Sequence, residues 1–407
     1  MQETEVTVVG GGPAGMIAAG TAARRGKKVI LLEKNDILGK KLGITGKGRC
    51  NITNDIDVEG LIDNIPVNNS FLYSAFYTFS NSQLINFLNE LGLETKVERG
   101  QRVFPVTDKA RDVVKTLQKF LKENKVQIIK EKAEDIQSVK KGFIVKTSSG
   151  MNINSENVVI ATGGVSYPAT GSTGDGYDFA KKLGHSITSL YPSLVPLEVR
   201  EDWIKEAQGL SLKNVEITVF ADDREIFEDF GEMLFTHYGV TGPIILSASS
   251  HMRDMANRDY KLVIDLKPAL SFEKLDKRIQ RDFKKYSRKY FGNSLGDLLP
   301  RKLIPVIIEL SEIPYSKKVN QITKKERYDL VQLLKNMTLH VEDYRPLKEA
   351  IVTSGGVDVD EIDPGTMESK IVKDLYFAGE IIDVDGYTGG FNLQIAFSTG
   401  FLAGNNC

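Results

Sequence analysis

Two hydrophobic rhythms alternate along the chain. Residues 29–32 are wholly apolar, and residues 6–9 are β-branched throughout and apolar but for Thr7, the pattern of strands buried on both faces. Between them Ala14, Ala18 and Ala22 form a small-residue stripe that predicts a helix over residues 14–25, with Gly26 as its stop. Residues 71–92 carry Phe71, Ala75, Leu84, Phe87, Leu88 and Leu91 at helical spacing before Gly92. Residues 108–124 place Val113, Leu117, Phe120 and Leu121 on one face, which predicts another helix. Strand-like pieces follow at residues 126–129, 143–147 and 152–154, then a buried run at 157–160 and a helix over 177–183 before Gly184. The texture changes near Pro192 and Pro196. Residues 195–199, 215–220 and 261–266 read as short strands, and 271–337 as mostly helical. A strand at 376–378 and a closing helix at 391–403 complete the chain. Ala396, Gly400 and Ala403 give that helix a small face suited to close packing against the first helix. The alternation predicts an α/β fold.

Its first turn supplies the chemistry. After the strand at 6–9, Gly10, Gly12 and Gly15 fit G-x-G-x-x-G, and a helix opens at Pro13 and Ala14. Gly10 permits the tight turn, Gly12 lets a pyrophosphate approach the backbone, and Gly15 lets helix and sheet pack closely. The helix N-terminus directs free N–H groups and its positive dipole end at the phosphates. Glu33 ends the second strand about 20 residues beyond the glycines, where a carboxylate accepts both ribose hydroxyls of an adenosine and repels a 2′-phosphate. The site therefore calls for FAD or NAD, not NADP. The expected architecture is a Rossmann-like FAD-binding domain, residues 1–192 and 342–407, interrupted by an insert at 193–341. The insert is β-rich over 193–270 and helical over 271–341, and is read as a substrate domain.

Composition narrows the class. The chain has 407 residues, 41% hydrophobic and 26% charged, with a net charge of -1, which gives no bulk attraction to polyanions. Cys50 and Cys407 are too few for a disulfide framework and suit a cytoplasmic location. The N-terminus lacks the features of a signal peptide, and no apolar run approaches the ~20 residues needed to span a bilayer. No membrane or nucleic-acid partner and no metal is expected, and the oligomeric state is left open.

Further segments carry candidate contacts. The Gly- and Lys-rich stretch 38–51 reads as a loop whose Lys40, Lys41, Lys47 and Arg49 face diphosphate or an anionic substrate. Cys50 has no partner at C-x-x-x-x-C spacing, which excludes a dithiol cycle in this loop. It is either a packed thiol or a thiolate lowered by nearby cations. Ala161-Thr162-Gly163 ends the buried strand, and Asp175 in Gly174-Asp175-Gly176 accepts from a ribityl or isoalloxazine donor. His185 reads as a structural histidine. Within the insert, glycines flank Thr236-His237-Tyr238, which is either a polar loop reaching into a cleft or a turn between strands. Eight Lys or Arg lie between Phe272 and Phe291, read as the solvated face of an amphipathic helix. Gly379-Glu380 ends the last strand, and Gly389-Gly390 opens the closing helix toward the cofactor.

These segments resemble the flavoprotein family that includes the BaiN and aminoacetone oxidase-type oxidoreductases. The likeness rests on the N-terminal fingerprint, Gly46-Lys47-Gly48-Arg49-Cys50-Asn51, residues 231–243, residues 353–357, and Met367-Glu368-Ser369-Lys370 through Asn392. It spans residues 6–404. The Thr173-Gly174-Asp175-Gly176 segment is also similar to one in fumarate reductase flavoproteins. The family implies FAD. The cofactor contacts expected are Gly10, Gly12, Pro13, Ala14, Gly15, Glu33, Lys34, Lys41, Gly48, Arg49, Cys50, Asn51, Ala161, Thr162, Gly163, Asp175, Gly379, Glu380, Gly390, Phe391 and Asn392. His237 is the expected proton-transfer residue, with Tyr238 and Arg49 in reserve.

The implied activity is flavin-hydride reduction of an activated C=C bond in a small molecule. NAD(P)H is the expected donor and binds transiently, because no second strand–G-x-G-x-x-G–helix unit appears. The alternatives are oxygen-dependent oxidation of a small amine or aminoketone, and a flavoprotein whose basic helix binds RNA.

Overall fold

The structure, a computed structural model, describes residues 2–407. The chain divides into two compact units: one holds the chain up to Ser193 together with Pro346–Cys407, the other Leu194–Arg345.

The first unit is built on a seven-stranded sheet. Its parallel part runs in the order Gln127–Ile129, Val29–Leu32, Gln2–Val9, Asn152–Ile160 and Leu375–Phe377. Val9 lies level with both Leu32 and Ile160, and Ile160 with Phe377, so four strands end at one edge. The apolar runs seen in the sequence are these strands: Val29–Leu32 is buried at every position. The pieces expected at 152–154 and 157–160 form one continuous strand. Its first half pairs antiparallel with Phe143–Thr147 and its second half parallel with Leu375–Phe377.

Two helices meet at the edge where the strands end. The first, Pro13–Arg24, and the closing one, Phe391–Asn406, run side by side in the same sense. A Cβ on Gly400 would lie 2.4 Å from the carbonyl oxygen of Ala14, and one on Gly404 would lie 2.3 Å from that of Ala18. Only glycine allows the two backbones to approach this closely. The predicted close packing is thus present, carried by Gly400 and Gly404.

The helix expected over 71–92 is two helices, Tyr73–Thr78 and Asn81–Glu90. The Ser80 hydroxyl accepts from the Gln83 amide, and the Gln83 side chain accepts from the Ser80 amide. This capping box starts a new helix inside a continuous apolar periodicity. The stretch read as a loop at 38–51 contains a 3-10 segment, Leu42–Gly48, with Gly46 and Lys47 in left-handed conformations.

The second unit is a closed six-stranded antiparallel barrel with helices. Strands follow the order Leu197–Val199, Gly239–Thr241, Arg224–Phe235, Ser211–Ala221, Tyr260–Asp265 and Met337–Tyr344, and the last pairs with the first. Arg224–Phe235 escapes a hydrophobic reading because Glu225, Glu228 and Glu232 interrupt it. Its partner positions explain its place: Phe227 lies opposite Val219, and Gly231 opposite Val215. The helices are Pro243–Ser249, Phe272–Lys285, Leu303–Leu310 and Lys324–Lys335. Met337–Tyr344, part of a segment expected to be helical, is the strand that closes the barrel. Among the described residues no helix is long and apolar enough to cross a membrane.

Candidate dinucleotide site

The glycine turn is shaped by what each Cβ would meet. Gly10, at φ +108, packs so that a Cβ would fall 2.4 Å from the Ala161 carbonyl oxygen. A Cβ on Gly15 would fall 1.8 Å from the Gly10 carbonyl oxygen. At Gly12 a Cβ would meet no atom within 4 Å. Two glycines therefore close the turn onto the sheet, while the third faces open space at the start of a helix. Gly12 is that helix's N-cap and provides no side-chain cap, and Pro13 follows at the first helical position. The first amides of the helix are free to meet an anion.

Glu33 is buried, and three hydrogen bonds hold its carboxylate. Oε2 accepts from the Gly11 amide at 2.8 Å; Oε1 accepts from the Asn35 amide at 2.7 Å and from its side-chain nitrogen at 2.6 Å. An ionised carboxylate offers about four acceptor positions, so Glu33 keeps room for a ribose hydroxyl. Lys34 turns toward Asp175, donating at 2.5 Å, and Lys132 reaches the same carboxylate at 3.2 Å. Burial works to raise the Asp175 carboxyl, but the Lys34 and Lys132 contacts outweigh it and hold it below the usual range.

The 42–51 segment ends in a strut. Arg49 donates to Asp108 at 2.5 Å and to Glu98 at 2.6 Å, and its guanidinium lies 4.2 Å from the centre of the Phe104 ring. These contacts tie it to a small antiparallel sheet formed by Thr53–Asn54, Arg102–Pro105 and Thr95–Glu98. Cys50 is wholly buried, and burial pushes its thiol up to about 12. Of the two readings of this residue, the packed thiol is the one the structure shows. Gly48 precedes Arg49 in a left-handed conformation.

The other candidates surround the same sheet edge. Ala161 abuts Gly10, and Gly163, at φ +73, faces Ser172. Gly379 lies against Ala14 and Ala396, which brings the last strand onto both helices. A Cβ on Gly390 would lie 2.5 Å from the Thr53 backbone, so the closing helix begins directly over the segment that carries Asn51. Asn392 grips the Gly386 backbone at both its N–H and its carbonyl, and Phe391 is buried. Asn51 Oδ1 and Thr162 Oγ1 are buried with no hydrogen-bond partner among the described residues. Two orphaned acceptors, an open glycine and two uncapped helix N-termini fit a large polar cofactor such as FAD.

Glu380, Lys41, Ser166 and Thr353 form a network at this edge; Ser166 has no distinguishing sequence signal. His185 is buried and bonded to Ser369, and burial lowers its pKa, which leaves it structural as expected. His237 and Tyr238 belong to the barrel unit, in the turn between Arg224–Phe235 and Gly239–Thr241. The Thr236 amide donates to the Gly239 carbonyl at 2.8 Å. His237 is exposed, with its ring edge-on to Tyr238 at 4.9 Å.

The HI0933-like protein Rossmann domain family matches residues 4–406. The chain belongs to this family. Its members' likeness extends over the whole length. The 3-dehydro-bile acid delta(4,6)-reductase of Clostridium scindens is 32% identical over 405 residues, 98% of each chain. The ribosomal RNA dihydrouridine synthase of Escherichia coli is 28% identical over 400 residues, 98% of this chain and 96% of that one. Among solved structures, 3-ketosteroid delta1-dehydrogenase from Sterolibacterium denitrificans shares the fold, with a TM-score of 0.53, 13% identity and coverage of 100% and 99%. The HI0933-like chain is an FAD-dependent oxidoreductase.

Proposed function

We propose that the chain reduces a C=C bond conjugated to a carbonyl in a small organic substrate, with NAD(P)H as electron donor. The full-length likeness to a bile acid reductase carries this reading. Bound FAD supplies the hydride that such a reduction requires. The chain's own residues do the rest. The amides after Gly12 hold the pyrophosphate, and Glu33 accepts from the ribose. Asn51, Thr162 and the start of the closing helix meet the remainder of the cofactor. Saturating the bond also needs a proton on the carbon next to the carbonyl. His237 is the proposed donor, because an imidazole changes charge near neutrality, and Tyr238 stands second. Arg49 ranks last, since Glu98 and Asp108 occupy its guanidinium. Among the described residues the only sheet with parallel strands is the one at the glycine turn, so NAD(P)H visits transiently. A cytoplasmic location belongs to the same reading.

A second reading is reduction of a uracil ring in RNA, whose 5,6 bond is likewise conjugated to a carbonyl. It is favoured by the relative named as a ribosomal RNA dihydrouridine synthase and by the exposed Lys274, Lys277, Arg281 and Lys284 on helix Phe272–Lys285. Anaerobic stopped-flow separates the readings. Protein bleached by NAD(P)H and reoxidised by a small enone supports the first. Reoxidation by uridine-containing RNA alone supports the second, and bleaching by a small amine would point to an oxidase instead.

A further inference from the structure

Glu380, one of the expected cofactor contacts, is engaged by three residues of its own chain. Oε1 accepts from Lys41 Nζ, Ser166 Oγ and the Thr353 amide, each at 3.0 Å. Oε2 accepts from Lys41 Nζ at 2.7 Å. Oε1 thus carries three contacts and Oε2 one, with Lys41 spanning both oxygens. Lys41 is equally committed: its ammonium has three N–H bonds, and it donates to both Glu380 oxygens and, at 2.7 Å, to Ser166 Oγ. Thr353 Oγ1 closes the ring by accepting from the Val165 and Ser166 amides at 2.9 and 3.1 Å. Lys41 and Glu380 side chains are only 23% and 21% exposed, so solvent screens the pair incompletely.

The network joins four separate stretches: the segment after the second strand, the segment after Asn152–Ile160, strand Val352–Ser354, and the end of Leu375–Phe377. Three of them lead to a cofactor candidate. Lys41 precedes the segment that carries Asn51, Ser166 follows Thr162 and Gly163, and Glu380 follows Gly379, which touches Ala14. We propose that Lys41 is a positioning residue that acts through Glu380 and Ser166. The pair sets the spacing of the FAD cradle. This inference rests on the placement of FAD at the glycine turn.

The test titrates apo-protein with FAD by flavin fluorescence and melts the same apo-proteins. Lys41→Met and Glu380→Gln should each weaken FAD binding at least about tenfold. The double variant should be no weaker than the worse single, because both act through one network. Ser166→Ala should weaken FAD severalfold while the apo-protein melts close to wild type; it carries the test if Lys41→Met does not fold. Lys41→Arg should recover most of the affinity. Multiplying losses in the double variant, or full affinity in Lys41→Met or Ser166→Ala, would overturn the proposal. Gly12→Ala is the control for the site itself: if it binds FAD undiminished, the placement of FAD has failed; if it loses FAD while Lys41→Met does not, only the positioning role has failed.

Discussion

Gly12→Ala separates the role of this glycine in binding from any role in folding. Gly12 sits at φ -77 and ψ -176, extended backbone open to any residue, and its missing Cβ faces empty space. In the apo-protein the methyl therefore strains nothing. Reduced freedom of the unfolded chain favours alanine by about 0.4–1 kcal/mol, and the poorer N-cap opposes it by a similar amount. The apo melting temperature should stay within roughly 4 °C of wild type. With FAD the same methyl stands where the pyrophosphate must approach the amides. Loss of one or two charge-assisted N–H contacts, at about 1.5–3 kcal/mol each, weakens binding at least about tenfold. Fluorescence titration of apo-protein measures the affinity, and melting of the same sample measures the fold. Undiminished affinity would refute the assignment of this turn to the cofactor.

Gly400→Ala should lower the melting temperature, although alanine is intrinsically favoured in a helix by about 1 kcal/mol, because its Cβ meets the Ala14 backbone; a raised melting temperature would contradict the packing. Burial holds the Cys50 and Cys407 thiols at about 12 against 9.0. Their contribution to stability is complete below pH 9 and is lost between pH 9 and 12, at about 1.4 kcal/mol per pH unit and thiol. Urea unfolding from pH 8 to 11 should show this fall, shallower in Cys50→Ala, and native Cys50 should resist alkylation at pH 8. His237→Ala should keep FAD and its yellow spectrum while turnover drops about 100-fold or more; full turnover would remove His237 from the chemistry.

The sheet was legible because its strands are buried on both faces, so the largely apolar runs at 6–9, 29–32 and 157–160 announce themselves. The glycine turn was legible for a related reason: Gly10 and Gly15 exist to avoid clashes with Ala161 and the turn itself. The barrel was harder to read. Arg224–Phe235 groups its charged and apolar residues mostly in adjacent pairs, without the alternation of a half-buried strand, and its identity depends on cross-strand partners that no local window contains. The break at Ser80 carried a local signal, Ser followed by Gln three residues later, which the apolar periodicity masked. At the site, the acidic residues were identified by position, but their occupancy was not. Glu33 is held by Gly11 and its near neighbour Asn35, whereas Glu380 is held by Lys41, Ser166 and Thr353, all distant from it in sequence.

The central claim is reduction of a conjugated C=C bond. Its most direct measurement is the flavin absorbance of the purified protein, first reduced anaerobically with NAD(P)H and then mixed with a small conjugated enone. The proposed function predicts rapid bleaching by NAD(P)H, then recovery of the oxidised spectrum with one saturated product formed per flavin. A protein that stays bleached with every enone, or that NAD(P)H never bleaches, would contradict it.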